Sequence, residues 1–371
     1  MRILVVNAGS SSLKLRVLEE DDSVAYSADL PAPRGIADSG AVRSSISDFG
    51  TVDAVGHRIV HGGSLYHGPV VIDETVEARL RSLTDLAPLH QPKSLAALDA
   101  VDAALPGVPA VACFDTAFHA GIPPAAATYA LPPEWRRRWD LRRYGFHGLS
   151  HAYASRRAAE LLDRDPAGLR VVTCHLGAGA SLAAVASGRS VDTTMGFTPL
   201  EGLVMATRSG TVDPGLVLWL EEHVGMPPAE LATTLEHRSG LLGLAGTADM
   251  RAVVDGAAAG EEAAQLAFDV YVHRLRGAIA AMAAAMEGID ALVFTGGVGE
   301  NSPQVRAAAA GGLGFLGVRL DPALNDGSGS GAGSSPPDRD VGAAGAAVRA
   351  LVVAAREDKQ IALEVRRTLG S

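Results

Sequence analysis

Two stretches of this chain follow one plan. Residues 3–15 read ILVVNAGSSSLKL, and residues 171–185 read VVTCHLGAGASLAAV. Each is a β-type apolar run, then a Gly/Ser loop opening at Asn7 or His175, then a second apolar run. Gly has no Cβ to hold a ligand away, so backbone N–H groups in such a hairpin can approach phosphate oxygens. The recurrence constrains the fold more than any other feature, because it implies two related lobes that clasp one phosphorylated ligand.

A length of 371 residues is compatible with about two domains. Apolar residues make up 47%, which excludes global disorder, and the net charge of −10 with no basic tail argues against nucleic acid. Cys113 and Cys174, the only cysteines, lie inside apolar runs without metal spacing and read as small buried hydrophobes of a reducing compartment. No signal peptide is legible at the N-terminus, and GAIAAMAAAM at 277–286 is too short to span a bilayer. A cytoplasmic location without membrane contact is the expectation.

β-Branched runs at 2–7, 13–18, 52–60 and 108–114 predict strands, with a helix over 93–104, so the first lobe reads as α/β. Helices are predicted over 151–163 and 261–287, followed by strand and loop over 290–297. The Gly/Ser/Pro segment 325–340 reads as a flexible loop, 341–353 fits strand and helix equally, and the tail reads as a helix.

The third Gly-rich unit is VFTGGVGENS at 293–302, where a strand entering a helix would aim N–H groups at an anion. It is neither a P-loop nor a dinucleotide fingerprint, since both patterns are absent. Three separate glycine loops suit an actin-like nucleotide-binding architecture. Arg58 and Arg208 each stand among small or apolar neighbours. They could pair with internal carboxylates, or they could neutralise a phosphoryl group in transfer. Asp115 ends a strand, where α/β folds place ligand chemistry. His57/His61 and His147/His151 are spaced i, i+4, but lack the glutamate of a zinc motif.

At this point the chain resembles the acetate kinase family. The resemblance rests on NAGSSSLK at 7–14, APLHQP at 87–92, FDTAFH at 114–119 and YGFHGLSH at 144–151. MGFTPLEGLVMATRSGTVDP at 195–214 and FTGGVGENS at 294–302 continue it in the family's order. It implies an α/β fold of two duplicated actin-like (ribonuclease H-like) domains with a nucleotide cleft between them. Residues 1–116 with 356–371 would form the acyl and metal side, and 117–355 the nucleotide and dimerisation side.

The implied activity is reversible, in-line phosphoryl transfer from ATP to acetate, giving acetyl phosphate and ADP, with a propionate- or butyrate-preferring kinase as the alternative. Asn7, Arg58, Asp115, His147 and Arg208 would be catalytic. Arg58, Val60, Leu89, His90, Phe146 and Pro199 would meet the carboxylate substrate. Lys14, His175, Gly177, Gly179, Asp249, Met250, Arg251, Gly296, Gly297, Gly299, Glu300 and Asn301 would hold the nucleotide. Asn7, Asp115 and Glu357 would bind Mg²⁺, with Mn²⁺ as the alternative metal, and the implied assembly is a homodimer. Two departures stand out: Ala178 and Ser94 occupy positions where the family usually has Asn. A non-catalytic nucleotide-binding module and a phosphate hydrolase are the competing classes, the first favoured only by Ala178.

Overall fold

A computed structural model describes residues 1–9, 12–32, 38–84, 91–327 and 338–370. The chain divides into two compact units, Met1–Ala120 with Phe146–Tyr153 and Arg356–Ser371, and Gly121–Gly145 with Ala154–Ala355. The segment 146–153, expected with the second domain, thus belongs to the first unit.

The first unit holds one six-stranded sheet. Its strands are β1 (Ile3–Ala8), β2 (Ser12–Leu18), β3 (Val24–Pro31), β4 (Ala54–Ile59), β5 (Val70–Val71) and β6 (Ala110–Phe114), in the order β3-β2-β1-β4-β6-β5. β1, β2 and β3 form an antiparallel meander, β4 and β6 continue it in parallel with β1, and β5 closes the edge antiparallel. Side chains along a strand alternate between faces. Ile3 and Val5 accordingly pack with Val111, Cys113 and the helix Glu357–Leu369 through Ile361 and Val365. Leu4 and Val6 face the opposite way, into Leu15, Val17 and the helix Ser39–Phe49 through Val42, Ile46 and Phe49.

The second unit repeats this plan strand for strand. β7 (Arg170–Leu176), β8 (Ala180–Ala186), β9 (Arg189–Thr193), β10 (Ala291–Thr295), β11 (Arg339–Asp340) and β12 (Arg349–Val352) lie in the order β11-β12-β10-β7-β8-β9. Read from its other end, that is the order of the first sheet with β7 in the place of β1 and β10 in the place of β4. The pairing directions match as well: β7, β8 and β9 are antiparallel, β10 and β12 are parallel to β7, and β11 is the antiparallel edge. The expected duplicated α/β fold is present.

Three expectations change in detail. Residues 341–353, ambiguous by sequence, contribute β12, because pairing with β10 fixes them as strand. Gly296 and Gly297, expected as loop, already belong to the helix Gly296–Asn301. The predicted flexible segment 325–340 lies outside the described residues over 328–337, while Pro322–Asp326 is a short helix and Arg339–Asp340 is β11.

Candidate functional site

The parallel strands of the first unit end side by side, and their carboxyl ends carry the first cluster. Asn7 lies near the end of β1 and Arg58 near the end of β4, in register with Cys113 of β6. Asp115 follows β6 directly, and Glu357 opens the C-terminal helix. The Arg58 guanidinium grips Asp115 with two bonds, Nε to Oδ1 at 3.1 Å and an NH2 nitrogen to Oδ2 at 2.5 Å. A third nitrogen donates to Asn7 Oδ1 at 3.2 Å, while Asn7 Nδ2 donates to Glu357 Oε2 at 2.7 Å. Glu357 also stands 3.9 Å from Arg58 Nε. The alternative of an internal carboxylate partner is thus realised for Arg58, and the partner is itself a proposed catalytic residue.

Asp115 is 1% exposed and Arg58 14%. Desolvation lifts the Asp115 carboxyl above its usual range; Arg58 opposes that and Glu357 adds to it. Desolvation pulls the Arg58 guanidinium down, but Asp115 and Glu357 outweigh it and the net shift is upward. One guanidinium therefore serves two carboxylates, leaving the cluster one negative charge in excess when both are ionised. Two carboxylates and an amide oxygen are hard donors that fit a divalent cation keeping several waters, the habit of Mg²⁺. Among the described residues no three His, Cys, Asp or Glu side chains form a metal cage.

His147 has left-handed backbone at φ 56°, immediately before the helix Gly148–Leu161. Phe146 and Val60 are buried nearby in sequence to His147 and Arg58. Leu89 and His90 lie outside the described residues. Lys14 is exposed on β2, across the ladder from Asn7.

In the second unit β7 and β10 are neighbours, so the turn after β7 and the helix after β10 meet at one end of the sheet. They border a cavity of about 580 Å³ whose wall includes Gly177, Ala178, Asp249, Met250, Arg251, Gly297 and Asn301. Sequence motifs as far apart as 177 and 301 thus share one pocket. Gly296 has φ 78°, and a Cβ there would stand 2.8 Å from the Leu176 carbonyl oxygen, so only glycine lets the two loops touch. Asp249 caps the helix Met250–Ala258 by accepting from the Arg251 N–H, and pairs with the Arg251 guanidinium at 2.8 Å. His175, Gly179, Gly296, Gly299 and Glu300 belong to these loops but do not line the cavity. Glu300 Oε1 accepts from the Ala355 N–H at 3.0 Å.

Arg208 donates to the Pro199 carbonyl at 3.0 Å, which ties two proposed site residues together within the second unit. The segment carrying Pro199 is clamped by Glu201, which accepts from Tyr129 Oη at 2.5 Å and from Arg143 at 2.7 Å. Arg143 also donates to the Thr194 and Met195 carbonyls.

Two side chains that sequence reasoning passed over matter here. Tyr271, on the long helix Glu262–Ala285, lines the cavity with a buried ring. Arg306, 1% exposed, donates to the Gly299 and Glu300 carbonyls and to Asn325, and so fixes the glycine-rich helix from behind. Arg306 had a signal in its position ten residues after Gly296, yet an arginine in an Ala-rich helix reads as surface until its burial is seen.

Fold and site together define a class: α/β proteins of two duplicated units, one with an arginine–carboxylate cluster at its strand ends, the other with a glycine-walled pocket. The model of the Acetokinase family matches residues 36–363. An acetate kinase of Nostoc punctiforme is 44% identical, with 98% of both chains covered. The crystal structure of Porphyromonas gingivalis acetate kinase superimposes with a TM-score of 0.88 at 35% identity, covering 99% of each chain. A propionate kinase from Francisella tularensis gives 0.87 at 32% identity, covering 98% of each. The chain belongs to the acetokinase family.

Proposed function

We propose that this chain is an ATP-dependent acetate kinase, moving the γ-phosphoryl group of ATP onto acetate to give acetyl phosphate and ADP, reversibly. The observation that carries the reading is the Arg58 guanidinium locked onto buried Asp115 at the ends of parallel strands, in a chain of this family. Acetate is already ionised at neutral pH, since carboxylic acids titrate near ~4. No general base is needed, and the task left to the protein is alignment and charge neutralisation.

Arg58, held rigid by Asp115, is suited to neutralise the phosphoryl oxygens, and Arg208 is assigned the same charge-neutralising task. Asn7 and His147 are assigned hydrogen bonds to that group. Asp115, Glu357 and Asn7 would hold Mg²⁺, which supplies further neutralisation of the phosphate charge when bound. The pocket bordered by Gly177, Asp249, Arg251 and Gly297 suits a nucleotide, its backbone N–H groups serving phosphate oxygens. Val60, Phe146 and Pro199, with Leu89 and His90, are assigned to the acyl end. A homodimer is supported by the helix Pro214–Glu222, which buries none of its residues and leaves Leu216, Leu218 and Trp219 about half exposed. A cytoplasmic location is supported by two buried free cysteines.

Trapping acyl phosphates as hydroxamates, with ATP and Mg²⁺ across formate, acetate, propionate and butyrate, tests the reading. Product peaking at acetate is expected. A peak at propionate or butyrate with acetate at background would instead support the second reading, for which the likeness to the propionate kinase speaks. Rapid ATP hydrolysis without any carboxylate would point to a hydrolase.

A further inference from the structure

His147 adopts φ 56°, a conformation that strains a non-glycine residue and persists only where its surroundings impose it. One short segment bonds the residues on both sides of His147. On the near side, the Phe146 carbonyl lies 3.1 Å from His119 Nε2; a carbonyl can only accept, so the ring carries its proton on Nε2. On the far side, the Gly148 N–H donates to the Asp115 carbonyl at 2.9 Å. A Cβ on Gly148 would lie 2.2 Å from that same oxygen, so the approach depends on glycine. Asp115 and His119 bracket a tight turn after β6, closed by the His119 N–H on the Thr116 carbonyl.

His119 is itself enclosed on several sides. It is fully buried, and its ring meets His151 edge-on with centroids 5.6 Å apart and Phe118 at the same separation. Phe146 is 1% exposed and packs edge-on against His61 at 5.5 Å. The turn after β6 therefore sets two things at once: its first residue presents the carboxylate that grips Arg58, and its last holds the peptide that precedes His147.

We propose that His119 is a positioning residue, whose Nε2–H bond to the Phe146 carbonyl holds the left-handed backbone at His147 and so couples the placement of His147 to that of Asp115. The role in turnover rests on the kinase reading above; the hydrogen bond and backbone do not. Burial keeps His119 neutral at physiological pH by pushing its pKa down to about 4, so it acts as a fixed donor and not as an acid.

The test has one arm without turnover and one with it. In the ¹⁵N spectrum of the unsubstituted protein, His119, assigned through its backbone, is expected as the Nε2–H tautomer; the Nδ1–H tautomer would overturn the proposal outright. His119→Phe removes the donor at similar volume, whereas His119→Gln returns an N–H at similar reach. His119→Phe is expected to move the His147 ring resonances and lower kcat about 10- to 100-fold, with KM for ATP within about twofold. His119→Gln is expected to restore both the resonances and most of kcat. Equal kcat in wild type and His119→Phe, or a His119→Gln variant as impaired as His119→Phe while both stay folded, would overturn it. If neither variant folds, the tautomer alone decides. A protein that makes no acyl phosphate at all would defeat the kinase reading and leave the resonance arm to judge His119 separately.

Discussion

At the scale of single residues, the chemistry of the first unit rests on charge that burial has made expensive to disturb. Removing one partner of a buried ion pair leaves the other uncompensated, typically at a cost of about 3–5 kcal/mol. Arg58→Ala should therefore lower stability as well as turnover, because buried Asp115 loses its bidentate partner. Arg208 lies in the second unit, partly buried, where it donates to the Pro199 carbonyl and meets the Met205 sulfur. Arg208→Ala is expected to lower kcat by at least ~10³ while the fold survives. Near-normal turnover would remove Arg208 from the mechanism. Ala178 lines the cavity where the family's asparagine would add a polar group. Ala178→Asn should tighten ADP binding by no more than about tenfold, the worth of one neutral hydrogen bond, as calorimetry would show. The identities of Arg58, Asp115 and Arg208 as site candidates were legible in the motifs. That Arg58 spends its guanidinium on Asp115 and Asn7 was not, since those residues lie 57 and 51 positions away.

At the scale of elements, legibility followed the strength of the local pattern. β1, β2, β7 and β8 were visible because apolar runs flank Gly/Ser turns. β3, which leaves five of its eight residues exposed, carries a sequence (VAYSADLP) too polar to announce a strand. β12 sits in an Ala/Val-rich stretch whose choice between helix and strand was made by hydrogen bonds to β10. The C-terminal helix was legible, but its docking was not. It lies so close to β4 that a Cβ on Gly56 would stand 2.5 Å from Ile361 Cγ2 and 2.8 Å from Val365 Cγ2. Gly56→Ala should cost about 1–3 kcal/mol by overpacking, read from urea denaturation. Because Glu357 opens that helix, the same variant should also raise the Mg²⁺ concentration needed for half-maximal activity. Unchanged stability would mean that the helix is free to shift outward.

For the molecule as a whole, the first unit carries a load of buried imidazole. Burial lowers the pKa of His57, His61 and His119 from 6.5 to about 4 each. The unfolded chain then binds protons that the native state refuses, so this stability is complete above pH 6.5 and is lost as pH falls towards 4. Each histidine withdraws about 1.4 kcal/mol per pH unit across that window, hence about 2 kcal/mol by pH 5. Asp115 and Glu364, whose carboxyls burial pushes up, act in the opposite sense. Three histidines over some two and a half units should dominate, and the urea midpoint should fall steadily from pH 7 to pH 5. Hydrogen exchange should show β1, β4 and β6 losing protection before β7 and β10. A midpoint that rose on acidification would show the carboxyls in control. On assembly, Trp219→Asp should shift sedimentation towards the monomer, since it places a charge on the exposed apolar helix Pro214–Glu222; an unchanged species would locate any dimer contact elsewhere.

By itself the sequence determined the repeated hairpins, the α/β class, the family and the identity of the charged candidates, because each is written in contiguous residues whose spacing carries the physics. Only the tertiary structure decided that the two hairpins begin two sheets of matching strand order, since strand order depends on hydrogen bonds between segments far apart in the chain, as between Ile3 and Ala54 or Val171 and Ala291. It alone decided that Asp115 is spoken for by Arg58, that Arg306 lies buried behind a glycine-rich helix, and that His119 holds the turn before His147. Those are matters of burial and long-range pairing, and a local string of residues contains neither.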